Sequence, residues 1–531
     1  MADATDAPGR DDREALQAAA TQRLHPLSWL FTLIAQLRMF ALPLLVLLLG
    51  GSREDGDDIG DLIGLAGAAM LAVVAVWQYF TYRYGFLESA LVIRSGLLQR
   101  NLRLIPFDRV QNVTLHQNLL HRLVGVAEVR LESAGGMGQA EAQMQVLKLE
   151  QANALEARVR EGANRARAAQ VADGGGNAAQ DDAPVLWLAL PTRELVRLGL
   201  ISNRGMLVVA AGFAYVTQAG DVFTKRLSNG IESVGREGIA MAEAWHLGPV
   251  AYAGLAFGLL VAMIVAVRLL SVALAILQFH DFRLHAGERE LRVERGLISR
   301  VRSHLPKRRI QAYSLRETLL HRWFGRQSLR VDRASVEAVN ESQSVRDLVP
   351  LAAPDGMDGM LAALLPDGSW PLQDWQALHP RAWWRVFAPL AMAVLAGTAL
   401  LVYFEGPVGL WALALLAPVY LRARVWARYS AWTLGGGVVA FRQGWLDRHW
   451  RFAEARKLHA LQITQSPFDR RHGMATLHLD TAGASPMEPA LRIPYLAVAE
   501  AEALAARLRA LMPRDAGINP ARTGASAAPA A

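Results

Sequence analysis

A segment of 42 residues occurs three times in this chain of 531 without a gap, and that triplication limits what the chain can fold into. Arg94 to Gly135 reads RSGLLQRNLRLIPFDRVQNVTLHQNLLHRLVGVAEVRLESAG. Moved on by 200 residues it lies on Glu294 to Ser335, with 14 of the 42 positions identical, and a further 148 lay it on Arg442 to Gly483. Gly96, Gly296 and Gly444 share one column, Arg122, Arg322 and Arg470 a second, and Gly125, Gly325 and Gly473 a third. Copies so far apart are whole domains, not the turns of a short solenoid.

What separates the copies is apolar. Hydrophobic residues make up 52% of the chain and mean hydropathy is +0.17, a balance that points to membrane. Candidate spans are Trp29 to Leu49, Leu62 to Phe80, Gly205 to Ala219, a stretch within Leu247 to Leu277, Trp383 to Phe404, and Val408 to Val425. Arg38 can snorkel from the first, and Arg268 reads as the cytoplasmic end of the fourth. The expectation is a multi-pass α-helical membrane protein with about six transmembrane helices in three hairpins, at 25–82, 185–278 and 379–426. Three α+β domains follow them, at 83–168, 279–366 and 427–512. Residues 1–24, 169–184 and 513–531 are polar or Gly- and Ala-rich and read as a disordered tail, a flexible linker and a second tail. Hairpins put every domain and both termini on one side. Most of the Arg sits in the domains while the connector Gly51 to Asp61 is acidic, so that side is expected to be cytoplasmic.

Within each domain the long apolar runs give way to short alternating ones. Ala127, Val129 and Leu131 alternate with Glu128, Arg130 and Glu132, the period of a half-buried antiparallel strand. Leu329 and Val331 keep that parity against Arg330 and Asp332, as do Leu477 and Leu479 against His478 and Asp480. The glycine at 96, 296 and 444 falls between two strand-like runs, where positive φ makes a tight hairpin. A helix-like segment closes each copy, at Gln151 to Ala168, Asp355 to Leu365 and Ala497 to Leu511.

Two spans, then GLL or GLI at a hairpin, a run such as LIPFDRVQNV, and LLHRLVG leading into an alternating strand resemble the YdbT-like family of bacterial pleckstrin-homology-like membrane proteins. The matching residues are Gly96, Leu97, Pro106, Arg109, Gln111, Leu120, Arg122 and Gly125, and in the second copy Gly296, Leu297, Pro306, Arg309, Gln311, Leu320, Arg322 and Gly325. The third copy departs, with Glu454 for the proline, Lys457 for the first arginine, His459 for the glutamine and Asp469 for the histidine. The resemblance implies a seven-stranded, strongly bent PH-like β-sandwich capped by a C-terminal helix, and it implies no catalytic residue or cofactor. Pleckstrin-homology domains elsewhere bind phosphoinositide headgroups or proteins, but a fold alone does not carry a function.

The chain has no cysteine, which excludes disulfides, thiol nucleophiles and cysteine metal sites. Neither Gly174 to Gly176 nor Gly435 to Gly437 leads into a phosphate-binding loop, and there is no HExxH or GxSxG. His116 and His121 could share a metal only with a carboxylate from elsewhere, and His116 is Arg316 in the second copy. No metal and no cofactor are expected. The formal charge of +8 comes without the interleaved aromatics of a nucleic-acid groove, so no nucleic acid is expected either.

Arg122, Arg322 and Arg470 could each grip a lipid phosphate or, equally, satisfy loop carbonyls within the domain. The apolar hairpin tips, Leu97-Leu98, Leu297-Ile298 and Trp445-Leu446, are flanked by Arg94 and Arg100, by Arg295 and Arg300, and by Arg442 and Arg448. They could dip into a headgroup layer or be buried in the sandwich. The leading expectation is a non-enzymatic platform in the bacterial cytoplasmic membrane, meeting anionic lipid headgroups or other membrane proteins. A transport or efflux component and a lipid-modifying enzyme are the alternatives.

Overall fold

The computed structural model describes residues 21–31, 33–34, 70, 73, 77, 80–87, 90–96, 101–107, 110–133, 142–172, 184–218, 233, 236, 249–333, 347–368, 370–481 and 491–512. Most of the first expected hairpin, its acidic connector and nearly all of both tails lie outside them.

Among the described residues each repeat has seven strands. The first has β1 (Gln22–Arg23), β2 (Arg83–Phe86), β3 (Ala90–Ser95), β4 (Asn101–Pro106), β5 (Val110–Gln117), β6 (Val126–Ser133) and β7 (Ala142–Lys148), closed by the helix Leu149–Ala172. The second has β8 (Val185–Ala189), β9 (Arg283–Ala286), β10 (Glu290–Arg295), β11 (Arg300–Pro306), β12 (Ile310–Glu317), β13 (Gln327–Arg333) and β14 (Asp347–Ala352), with the helix Pro354–Leu364. The third has β15 (Gln376–Ala377), β16 (Ala431–Gly435), β17 (Val438–Gln443), β18 (Arg448–Glu454), β19 (Leu458–Thr464), β20 (Met474–Thr481) and β21 (Leu491–Ala497), with the helix Val498–Leu511.

The alternation read from the sequence is the burial pattern found. Ala127, Val129 and Leu131 are fully buried between half-exposed Glu128 and Arg130. Gly296 and Gly444 have φ of 111° and 91°, and a Cβ on either would lie 1.9 Å from a backbone oxygen, of Ser299 or Asp447. No other residue fits that turn. In the first repeat Tyr84, Leu91, Ile93 and Ile105 pack with Val129, Leu131, Met144 and the capping-helix residue Leu155. In the third, Trp432, Val439 and Phe441 pack with Leu477, Ile493 and Leu504.

Two features correct the expected boundaries. The first strand of each repeat precedes the membrane segment rather than following it: Gln22 pairs with Tyr84, Val185 with Ala286 and Gln376 with Trp432. The domains therefore begin before 83, 279 and 427, with the apolar segment inserted between strands one and two. The sheets also run across repeats. One seven-stranded sheet has the order β7-β6-β5-β11-β10-β9-β8 and the other β14-β13-β12-β18-β17-β16-β15. Strand five of one repeat thus pairs with strand four of the next. The register is the same at both joints, Arg300 opposite Gln117 and Arg448 opposite Glu317, which are equivalent positions. The chain divides into two compact units, 1–288 with 292–304 and 289–291 with 305–531, so the division falls inside the second repeat.

Six transmembrane helices in three hairpins were expected; among the described residues two stretches are long and apolar enough to cross a membrane, or three with a bent pair. Tyr252–Phe279 is one. The other, Ala382–Tyr429, folds back on itself after Glu405: Gly409 lies against the backbone of Leu401 and Val402, and Trp383 and Phe387 lie against Tyr420. Each leg, of 24 residues, is about 36–41 Å long, enough for one crossing. The bent pair, Thr192–Ile201 and Arg204–Ala214, turns by 52°. Arg268 of the long neighbouring helix caps the break, donating to the carbonyl oxygens of Leu200 and Ser202 and to Asn203 Oδ1 at 3.0–3.3 Å. A charged side chain in an apolar helix is thereby matched to carbonyls that a broken helix leaves without partners. Gly199 makes the close crossing possible, since a Cβ there would lie 2.3 Å from Val272 Cα.

The first and third domains are also tied to the helix that follows their first strand. In the first repeat Phe31 lies 4.2 Å, ring to ring, from His121. At the equivalent positions of the third repeat Arg385 donates to Asp469 at 2.7 Å and to Ser466 at 3.0 Å. The sequence departure at Asp469 is therefore one half of a paired change. Burial alone would raise the Asp469 carboxyl, but its hydrogen bonds with Ser466 and Arg385 outweigh that and hold it below its ordinary value of 3.8. A depressed carboxylate contributes stability above its unfolded pKa and loses it as pH falls through the folded one. The tie is thus expected to hold at neutral pH and weaken only below about pH 4. Asp469→Asn should cost about 1–3 kcal/mol at pH 7 in thermal melts of the detergent-solubilised chain. Arg385→Phe with Asp469→His, the first repeat's pair, should recover part of that loss, and additive losses would show that the two side chains do not act together.

Candidate functional site

The joint between the second and third repeats holds a cavity of about 990 Å3. One wall is the return leg of the folded-back stretch Ala382–Tyr429, where Pro418, Leu421, Arg422, Val425 and Trp426 recur at helical spacing on one face. The opposite wall is the joint sheet. Ser314 faces Arg451 and Arg316 faces His449 across β12 and β18, with Arg330 beside Ser314 on β13. The β17–β18 hairpin, Gly444 to Asp447, closes one end, with Trp445 and Leu446 exposed. The site is amphipathic by construction, because a membrane helix supplies the apolar side and a polar sheet face the other.

Charge in the cavity is largely matched. Arg316 makes a two-pronged contact with Asp447 at 2.8 and 3.2 Å, Arg330 donates to Asp347 at 2.8 Å, and Arg451 pairs with Asp332. Ser314 Oγ and His449 Nε2 are 2.5 Å apart. The nearby His321 is pushed down to about 4 by burial and then by Arg316, so it is neutral at pH 7. Arg422 is exposed, and no ion pair is recorded for it among the described residues. The site thus offers one unmatched guanidinium beside an apolar wall.

The residues singled out in the sequence fall elsewhere, with one exception. Arg122 donates to the Leu297 carbonyl oxygen at 3.0 Å, and Arg322 to that of Trp445 at 3.2 Å. These two arginines therefore hold the hairpin tip of the following repeat, which is the loop-carbonyl reading carried across a joint. Arg322 also lies 3.7 Å from Glu317. Arg295 is buried, 5.1 Å from the Phe279 ring, and Arg300 lies 3.3 Å from Glu294. Arg442 sits 4.6 Å over the Trp375 ring, and Arg448 is 4.0 Å from Glu317. Arg94 is a half-buried residue of β3 opposite Arg83 and Leu102, while Arg100, with Leu97 and Leu98, lies outside the described residues. Arg470 is the penultimate residue of the short helix Pro467–Arg471, the counterpart of those that carry Arg122 and Arg322. Trp445 is the exception, lining the cavity. Arg316, Arg330, Arg422 and Arg451 were not anticipated. For Arg422 the signal was present, an arginine on the same helical face as Leu421, Val425 and Trp426, but it could be read simply as the end of a span.

Two more departures of the third repeat are paired as well. Glu454, in place of the proline, contacts Lys457, in place of the arginine, at 2.6 Å. No group of three or more metal-ligating side chains occurs among the described residues.

A family model described as bacterial PH domain matches residues 30–163, 242–354 and 387–512. The chain is 22% identical over 481 residues to the UPF0699 transmembrane protein YdbT of Bacillus subtilis (strain 168), covering 88% of this chain and 94% of that protein. No solved structure matches. Arg322→Ala should free the β17–β18 tip at a cost of about 0.5–1.5 kcal/mol. Hydrogen exchange at Gly444 to Arg448 should then quicken up to about tenfold with the rest of β17 and β18 unchanged; no change there would mean the bond to Trp445 does not hold the tip.

Proposed function

Since the chain belongs to the bacterial PH domain family, we propose that it is a non-enzymatic membrane platform whose joint between the second and third repeats holds the headgroup of a monoanionic phospholipid. The single unmatched cation of the cavity, Arg422 beside Leu421, Val425 and Trp426, carries this reading. A phosphodiester has one negative charge and an acyl chain at its edge, and a guanidinium with an apolar helix face meets both. The acyl chains would stay in the bilayer that the hairpin crosses while the headgroup enters the sheet-lined end.

The same reading places all three domains on the cytoplasmic side, with three hairpins and six crossings. Strands one and two are hydrogen-bonded neighbours in every repeat, so whatever is inserted between them must leave and return on one side of the membrane. That favours an even number of crossings per insertion. Because the chain has no cysteine, single cysteines report topology directly. Asp57→Cys and Glu405→Cys should react with an impermeant thiol reagent in intact cells, and Gln151→Cys only after permeabilisation. Labelling of Gln151→Cys in intact cells would reverse the orientation.

The headgroup reading is tested by native mass spectrometry of the full chain with phosphatidylglycerol and phosphatidylcholine. A charge-assisted hydrogen bond contributes about 1.5–3 kcal/mol, so Arg422→Glu should weaken phosphatidylglycerol binding about 10- to 100-fold. Arg428→Glu, the same charge change outside the cavity lining, should leave it intact. Equal retention of the two lipids, or equal effects of the two variants, would overturn the reading.

A further inference from the structure

Among the described residues, two strand edges of the kind that form the joints are left without a partner strand. β4 ends the sheet β1-β2-β3-β4, and β19 ends the sheet β19-β20-β21. They are counterparts of strands that are paired elsewhere: β4 corresponds to β11 and β18, and β19 to β5 and β12. At both internal joints a strand of the β19 kind pairs with one of the β4 kind, in one register. The first and third repeats therefore carry the two complementary halves of a joint that is made twice between repeats.

From this we infer that β19 of one copy adds to β4 of a second copy, continuing the series of joints head to tail from chain to chain. The internal register, carried over by sequence position, puts Thr464 opposite Asn101, Ile463 opposite Leu102, Gln462 opposite Arg103 and Leu461 opposite Leu104. Apolar residues meet apolar ones on one face and polar residues meet polar ones on the other, as directly opposed antiparallel pairs require. Leu104 is 48% and Ile463 39% exposed, whereas on the joined strand β12 the burial is continuous from Ile310 to Leu315. An apolar, unpaired edge is a site for adding a strand, and neither edge carries a proline, lysine or bulge at these four positions that would block it. Arg470 fits the same scheme. Its counterparts Arg122 and Arg322 grip the next repeat's hairpin, and no side-chain hydrogen bond or ion pair is recorded for it among the described residues.

The absence of cysteine makes the test direct. Leu102→Cys with Ile463→Cys in the full chain, oxidised in native membranes and run without reductant, is expected to give a ladder of multimers that collapses on reduction. Moving one partner by a single residue, Asn101→Cys with Ile463→Cys, turns one thiol to the other face and should leave less than about a tenth of that ladder. Arg470→Ala should reduce the ladder while leaving the monomer's thermal melt in detergent unchanged. A monomer with a cross-link inside one chain, no cross-link, or equal ladders from the in-register and off-register pairs would each overturn the proposal.

Discussion

A β-strand at a sheet edge presents a row of unpaired N–H and C=O groups, and the need to cover them organises this protein. A seven-stranded domain divided into four strands and three exposes the outer edges of strands four and five. Here one repeat's strand five covers the next repeat's strand four, as β5 does β11 and β12 does β18. Each joint then acquires a fastener, Arg122 on Leu297 and Arg322 on Trp445. Triplication is therefore not three independent modules on a string. The repeats share their sheets, and the cavity at the second joint exists because two repeats contribute to its polar wall and a membrane helix to the other.

The sequence shows the strands more clearly than the partners they choose. Alternation at Ala127, Val129 and Leu131 and the positive-φ glycines at 96, 296 and 444 are local properties, governed by pleat and turn, and they appear in the structure where the pattern puts them. Pairing of Arg300 with Gln117 is not local. Nothing in either strand distinguishes an edge meant for its own domain from one meant for the next. The first strands were missed for a related reason: Gln22–Arg23 and Gln376–Ala377 are two residues long, too short to show any period, and are separated from their partners by the whole membrane segment. Likewise the roles of the ten singled-out residues were legible as chemistry and not as address. An arginine three residues before a glycine must satisfy something, but that the acceptor lies in the following repeat is a consequence of the sheet order.

The third repeat's departures have a physical unity that single positions conceal. Glu454 meets Lys457 and Asp469 meets Arg385, so three of the four named departures sit in oppositely charged pairs. A lone buried carboxylate would be costly at either place, and pairing removes the cost. The contacts differ in kind, aromatic at Phe31 and His121 and ionic at Arg385 and Asp469, while the mechanical result is the same: the turn after strand five is fastened to the helix entering the membrane.

That fastening links the two solvents the protein occupies. The hairpin leaves and re-enters a domain between adjacent strands, β15 and β16, which belong to the same continuous sheet as β12 and the cavity wall. Arg268 plays a comparable part in the second repeat, where a charged side chain holds a broken helix against a long one by meeting its free carbonyls. Both devices place an arginine where apolar packing alone would leave polar groups without partners. In each case the cation is bound to the protein's own acceptors, which leaves Arg422, at the mouth of the joint, with its charge available to something from outside.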